Sequence, residues 1–122
     1  MKKASIWAVA TLVLALALLA PSPAMASTYT NSYNGSESVA YQPTTLIYSS
    51  HSTFRLRVRV TPALLPLGIP DRYSIAMYDS SGRRVWSASD QRDRVYSIGS
   101  NVTKIVIKPV AYFSATTRWS RA

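Results

Sequence analysis

The chain has 122 residues, a formal charge of +9 and no cysteine. No disulfide framework, thiolate metal site or lipidated cysteine is therefore open to it. So large an excess of arginine and lysine over acid cannot be buried unpaired. It must face solvent and favours acidic surfaces or polymers as partners.

Residues 1–26 read as a cleavable secretory signal. Met1-Lys2-Lys3 is a short basic start, and Ile6 to Ala20 is an apolar run interrupted only by Thr11. Pro21 and Pro23 break that run, and Ala24-Met25-Ala26 matches a small-x-small cleavage site. The apolar run is shorter than the about 20 residues a membrane-spanning helix needs, so no span is expected after cleavage. Removing 26 of 122 residues leaves 96, enough for one small domain over 27–122. The loss of Lys2 and Lys3 takes the charge from +9 to +7. A basic start and a cysteine-free domain together point to a bacterial, secreted or wall-associated protein.

The mature chain opens with a polar segment whose tip, Tyr33-Asn34-Gly35-Ser36, carries an Asn-Gly pair suited to a tight hairpin. A frayed terminus is the alternative. Ser38 to Ser49 holds Val39, Tyr41, Leu46, Ile47 and Tyr48 around Pro43, which suits an edge strand or a bulge. After the polar turn Ser49–Ser52 comes the plainest pattern in the sequence, Phe54-Arg55-Leu56-Arg57-Val58-Arg59-Val60. Strict alternation predicts a strand with Phe54, Leu56, Val58 and Val60 on one face and Arg55, Arg57 and Arg59 on the other.

Pro62, Pro66 and Pro70 exclude both a helix interior and a paired strand over the next segment. That stretch also carries Leu64, Leu65 and Leu67. It reads as a connection capping the core, or else as a rigid loop presenting those leucines to a partner. Tyr73 to Tyr78 alternates again. Asp79-Ser80-Ser81-Gly82 supplies a turn in which Asp bonds its own backbone and Gly takes positive φ. The return strand runs through Val85 and Trp86. Asp90 to Arg94 reads as a charged loop, Val95 to Ile98 as a strand, and Val102 to Lys108 as another that Pro109 ends or bulges. Val110 to Arg121 gives one or two last strands anchored by Tyr112, Phe113 and Trp119.

Seven or eight short strands with no helical period predict an all-β, small antiparallel sandwich, immunoglobulin-like or jelly-roll-like. His51 lies in a serine-rich turn without a Gly-x-Ser-x-Gly motif and is expected to be an exposed turn residue. Glu37 is the only glutamate, so paired carboxylates for glycoside hydrolysis are lacking. Asp90 and Asp93 are flanked by Arg92 and Arg94, which opposes a calcium site. No catalytic residue, cofactor or metal is expected.

Arg55, Arg57 and Arg59 would space their guanidiniums over about 13 Å, a match for successive charges on an extended polyanion. Lys104 and Lys108 repeat the device on a second strand, and Arg118 and Arg121 add charge beside Trp119. Exposed arginines also guard sheets against edge-to-edge aggregation. A merely protective surface, however, mixes its charges, and this one is overwhelmingly positive. The first expectation is a non-catalytic module binding an anionic polymer or cell-envelope surface such as teichoic acid, acidic polysaccharide or anionic lipid headgroups. Tyr29, Tyr33, Tyr41, Tyr48 and Tyr112 would stack on sugars if exposed. Nucleic acid would bind only non-specifically. The alternatives are a secreted inhibitor acting through loop 62–70, for instance on a protease, and an envelope-targeting antimicrobial protein with an apolar patch beside its arginines.

Overall fold

The computed structural model describes residues 27–40, 42–62, 71–110 and 114–122. The signal-like stretch 1–26, the loop residues Leu64, Leu65 and Leu67, and Tyr41, Tyr112 and Phe113 lie outside the described residues. Within them the chain is all strand: β1 (Ser27–Thr30), β2 (Asn34–Ala40), β3 (Thr44–Ile47), β4 (Phe54–Pro62), β5 (Tyr73–Tyr78), β6 (Arg84–Gln91), β7 (Arg94–Ile98), β8 (Lys104–Pro109) and β9 (Ser114–Arg121). The strands form a five-stranded sheet, β1-β3-β8-β5-β6, and a four-stranded sheet, β2-β9-β4-β7. One hydrophobic cluster joins the two. This is the expected β-sandwich.

Alternation builds the core. On β4, Phe54, Leu56, Val58 and Val60 are buried and the three arginines between them are exposed. Tyr73, Ile75 and Met77 answer from β5, and Ile105 and Ile107 from β8. Burying each large apolar side chain contributes about 1.5–3 kcal/mol, so Leu56, with no exposed surface, ties register to stability. A one-residue slip would drive the arginines inward.

Several local expectations are corrected. Asn34-Gly35 is not a hairpin tip. It starts β2, and β1 and β2 belong to different sheets. The bend is made upstream by Asn31, at φ 53°. Gly35 pairs with Trp119, and a Cβ on it would stand inside the indole. Pro43 marks no edge strand: the chain crosses there from β2 in one sheet to β3 in the other, and β3 lies between β1 and β8. Asp90 to Arg94 is no open loop either. β6 runs to Gln91, with Asp90, at φ 60°, inside its register shift against Tyr73–Ile75, and only Arg92 and Asp93 connect it to β7. All pairings are antiparallel except β1 with β3, which is parallel.

The β5–β6 hairpin forms as expected, although longer. Asp79 Oδ1 accepts hydrogen bonds from the Ser81 and Arg83 amides, both at 3.0 Å, and Gly82 takes φ 83°. Behind it the Tyr73 hydroxyl lies 2.9 Å from the Arg92 carbonyl, 3.1 Å from the Val58 carbonyl and 2.8 Å from the Tyr96 hydroxyl. This buried polar knot ties β5 to β4 and β7 across the core.

Candidate functional site

The outer face of the four-stranded sheet is set by register. Arg59 of β4 stands opposite Arg118 of β9, which in turn stands opposite Ser36 of β2. Arg57 lies between Ser120 on one side and Val95 on the other, and Arg55 is beside Ser97. Ser38 and Thr116 exchange a hydroxyl hydrogen bond of 3.2 Å farther along. The face is thus arginine set among hydroxyls. An open depression of about 420 Å³ runs over it, bordered by Ser36, Arg57, Arg59, Arg118 and Ser120.

One acid reaches this face, and the others are engaged elsewhere. Arg57 grips Asp93 in a forked contact, Nε to Oδ1 at 2.8 Å and Nη2 to Oδ2 at 2.6 Å. The hydrogen bond from Arg57, and the charges of Arg57 and Arg59, hold the Asp93 carboxyl below its usual range. Arg72 pairs with Asp90, Arg83 with Asp79 and Arg92 with Asp71. Glu37 accepts a hydrogen bond from the Thr44 hydroxyl at 3.1 Å. Among the described residues no carboxylate pairs with Arg55, Arg59 or Arg118. Like charges directly opposite on a sheet are destabilising, and a sheet built only for its own stability would place an acid opposite Arg59.

The other basic residues named from the sequence lie apart. Lys104 and Lys108 belong to β8, on the outer face of the opposite sheet. The Lys104 ammonium sits 4.6 Å from the centre of the Tyr78 ring. Arg121 follows the inward parity of Trp119 at the end of β9, where its guanidinium covers the rings of Tyr33 and Phe54 at 5.3 and 5.9 Å. Arg55, Arg57, Arg59 and Arg118 share one face. The two lysines are back to back with them, and Arg121 closes one end of the core.

His51 is half-buried rather than exposed. Its Nδ1 lies 2.8 Å from the Ser52 carbonyl and its Nε2 2.5 Å from the Val102 carbonyl, and its ring meets Tyr48 and Phe54 edge-on. Those contacts make it a clamp between loops. Tyr48 is fully buried, and Tyr29 and Tyr33 pack against the core. Asp90 and Asp93 turn to separate arginines, and no group of three or more metal-ligating side chains occurs among the described residues.

Sequence reasoning missed the surface aromatic. Trp86 of β6 is 40% exposed, and it meets Tyr96 of β7 edge-on with ring centres 5.8 Å apart. Only alternation in β6 was available to find it, and a register shift between Met77 and Tyr78 obscures that alternation. Val85 and Val110 are the other exposed large apolar residues described, and none of the three stands on the arginine face.

No protein-family model matches the chain, and no curated protein matches it. Among solved structures it is similar to the pre-peptidase C-terminal domain of collagenase from Bacillus anthracis, at a TM-score of 0.47 and 9% sequence identity, with 82% of this chain and 97% of that chain covered.

Proposed function

We propose that the protein is an exported, non-catalytic module that binds an extended anionic polymer of the cell envelope or its surroundings through Arg55, Arg57, Arg59 and Arg118. The observation carrying this reading is the direct opposition of Arg59 and Arg118, neither of them in an ion pair among the described residues, the nearby Asp93 being bound to Arg57. The guanidiniums of Arg55, Arg59 and Arg118 offer forked donors to phosphate, sulfate or carboxylate, whereas the fork of Arg57 is held by Asp93 and adds its remaining N–H groups. Same-face neighbours along β4 are spaced about 6.6–6.8 Å and cross-strand neighbours about 5 Å. A chain lying along β4 would therefore meet Arg55, Arg57 and Arg59 in turn, with Arg118 beside the last. The surrounding hydroxyls add uncharged donors without repelling an anion.

The test is affinity for long-chain polyphosphate at low salt, comparing the wild type with Arg59→Gln/Arg118→Gln and with Arg83→Gln/Arg84→Gln. The second pair removes the same charge from the β5–β6 hairpin of the other sheet. Weaker binding in the first pair alone supports the face as the site. Equal losses in both would reduce the interaction to net charge and remove the site.

A further inference from the structure

A groove of about 490 Å³ lies where β6, the last strand of the five-stranded sheet, meets β7, the last of the four-stranded one. Met77, Trp86, Tyr96 and Val102 line it together with Arg94 and Asn101. The lining contains no acid. Arg94 is fixed at both ends of its guanidinium environment: Nη1 donates to Gln91 Oε1 at 3.0 Å, and the charge lies 5.5 Å from the centre of the Tyr96 ring. Gln91 Oε1 also accepts from the Tyr96 hydroxyl at 3.1 Å. The Tyr96 ring and the cation are thus held by one amide.

The groove adjoins the arginine face. Val95, which lines it, is the register partner of Arg57. An occupant must therefore have a flat apolar side for Trp86, a negative group for Arg94, and further negative groups to continue over Arg57 and Arg59. Among the described residues the face beyond the groove offers arginines, hydroxyls and the Arg57-bound Asp93 carboxylate, and no exposed large apolar side chain stands on it, which disfavours a peptide needing apolar anchors. A pyranose ring bearing a carboxylate has the required chemistry, since its C–H face packs on an aromatic ring and its hydroxyls suit Asn101 and Ser97.

We propose that this groove is a subsite for one sugar unit of a carboxylated polysaccharide, whose following units lie across Arg57, Arg59 and Arg118. The inference rests on the anion-binding reading of the neighbouring face and narrows its ligand from any polyanion to an acidic glycan. Arg94 supplies the charge contact and Trp86 the stacking surface.

The test titrates the purified protein with an oligogalacturonate and, separately, with polyphosphate, which has charge but no sugar ring. Trp86→Ala and Arg94→Gln are each expected to weaken oligogalacturonate binding about tenfold, the equivalent of about 1.4 kcal/mol, and to leave polyphosphate binding within about twofold. Arg94 is exposed, so its variant carries the test should Trp86→Ala fail to fold. Unchanged oligogalacturonate binding in both variants would overturn the subsite while leaving the arginine face standing. An equal, Trp86-dependent affinity for poly-glutamate would also overturn it, in favour of an acidic peptide. Loss of neither ligand in Arg59→Gln/Arg118→Gln would instead sink the reading of the face.

Discussion

Arg59 and Arg118 face each other across β4 and β9, two like charges in direct register on an exposed sheet. Such a pair costs stability of about 0.2–1 kcal/mol. Arg118→Ser is therefore expected to raise the urea midpoint at low salt while weakening polyanion binding. In 1 M salt, where screening acts within about 3 Å, the gain should vanish. A midpoint that falls at low salt would show that Arg118 supports the sheet instead of straining it.

Gly35 and Trp119 stand opposite each other on β2 and β9. Because the indole fills the place of a Cβ at 35, Gly35→Ala must push the ring off its buried site or part the strands. The expected loss is about 1–3 kcal/mol, read from chemical denaturation. A neutral substitution would mean that β2 is loosely held.

Alkaline pH should unfold the protein through its buried phenols. Burial, then the hydrogen bond with Tyr96, pushes the Tyr73 hydroxyl far above its ordinary range, and burial does the same for Tyr48. An unfolded chain ionises both near pH 10. Their contribution is thus complete below that pH and is lost as pH rises toward the folded values. Absorbance at 295 nm should show these tyrosines titrating only in a steep step that coincides with loss of structure. Tyr73→Phe should cost about 1–3 kcal/mol at neutral pH, because the one proton shared between the Val58 and Arg92 carbonyls is lost, and should weaken the alkaline dependence.

The β5–β6 turn carries the opposite pH sign. Hydrogen bonds from the Ser81 hydroxyl and the Arg83 amide hold the Asp79 carboxyl below its usual range. Its stabilisation is complete above the unfolded value near pH 4 and is lost as pH falls through the lower folded one. Asp79→Ala should flatten the acid limb of a stability profile. Gly82→Ala should cost about 1–2 kcal/mol through its positive φ alone, since nothing lies within 4 Å of the added carbon. A Gly82→Ala protein as stable as wild type would mean that the turn rearranges.

The strands were legible where one face is buried and the other wet. Phe54 to Val60 and Tyr73 to Met77 alternate with the period of a half-buried strand, and both lie as that period requires. The sandwich followed from the number of such runs. What the sequence could not carry was which sheet each strand joins. Asn34-Gly35 has the chemistry of a hairpin turn, yet its glycine is set by Trp119, 84 positions away along the chain. Lys104 and Arg118 look alike in sequence and fall on opposite outer faces, because β8 and β9 belong to different sheets. Arg121 has left the face of Arg118 for a second reason: three positions reverse the side on a strand. The groove at Trp86 depends on two sheet edges meeting, a relationship no local pattern encodes.

The most direct measurement is the salt dependence of polyphosphate affinity for the wild type and for Arg55→Gln/Arg59→Gln/Arg118→Gln. Each arginine contacting phosphate adds nearly one unit to the slope of log affinity against log salt, by analogy with nucleic-acid phosphates. The triple variant should bind more weakly and lose roughly two to three units of slope. An unchanged slope would contradict the assignment of the polymer to the face where Arg59 meets Arg118.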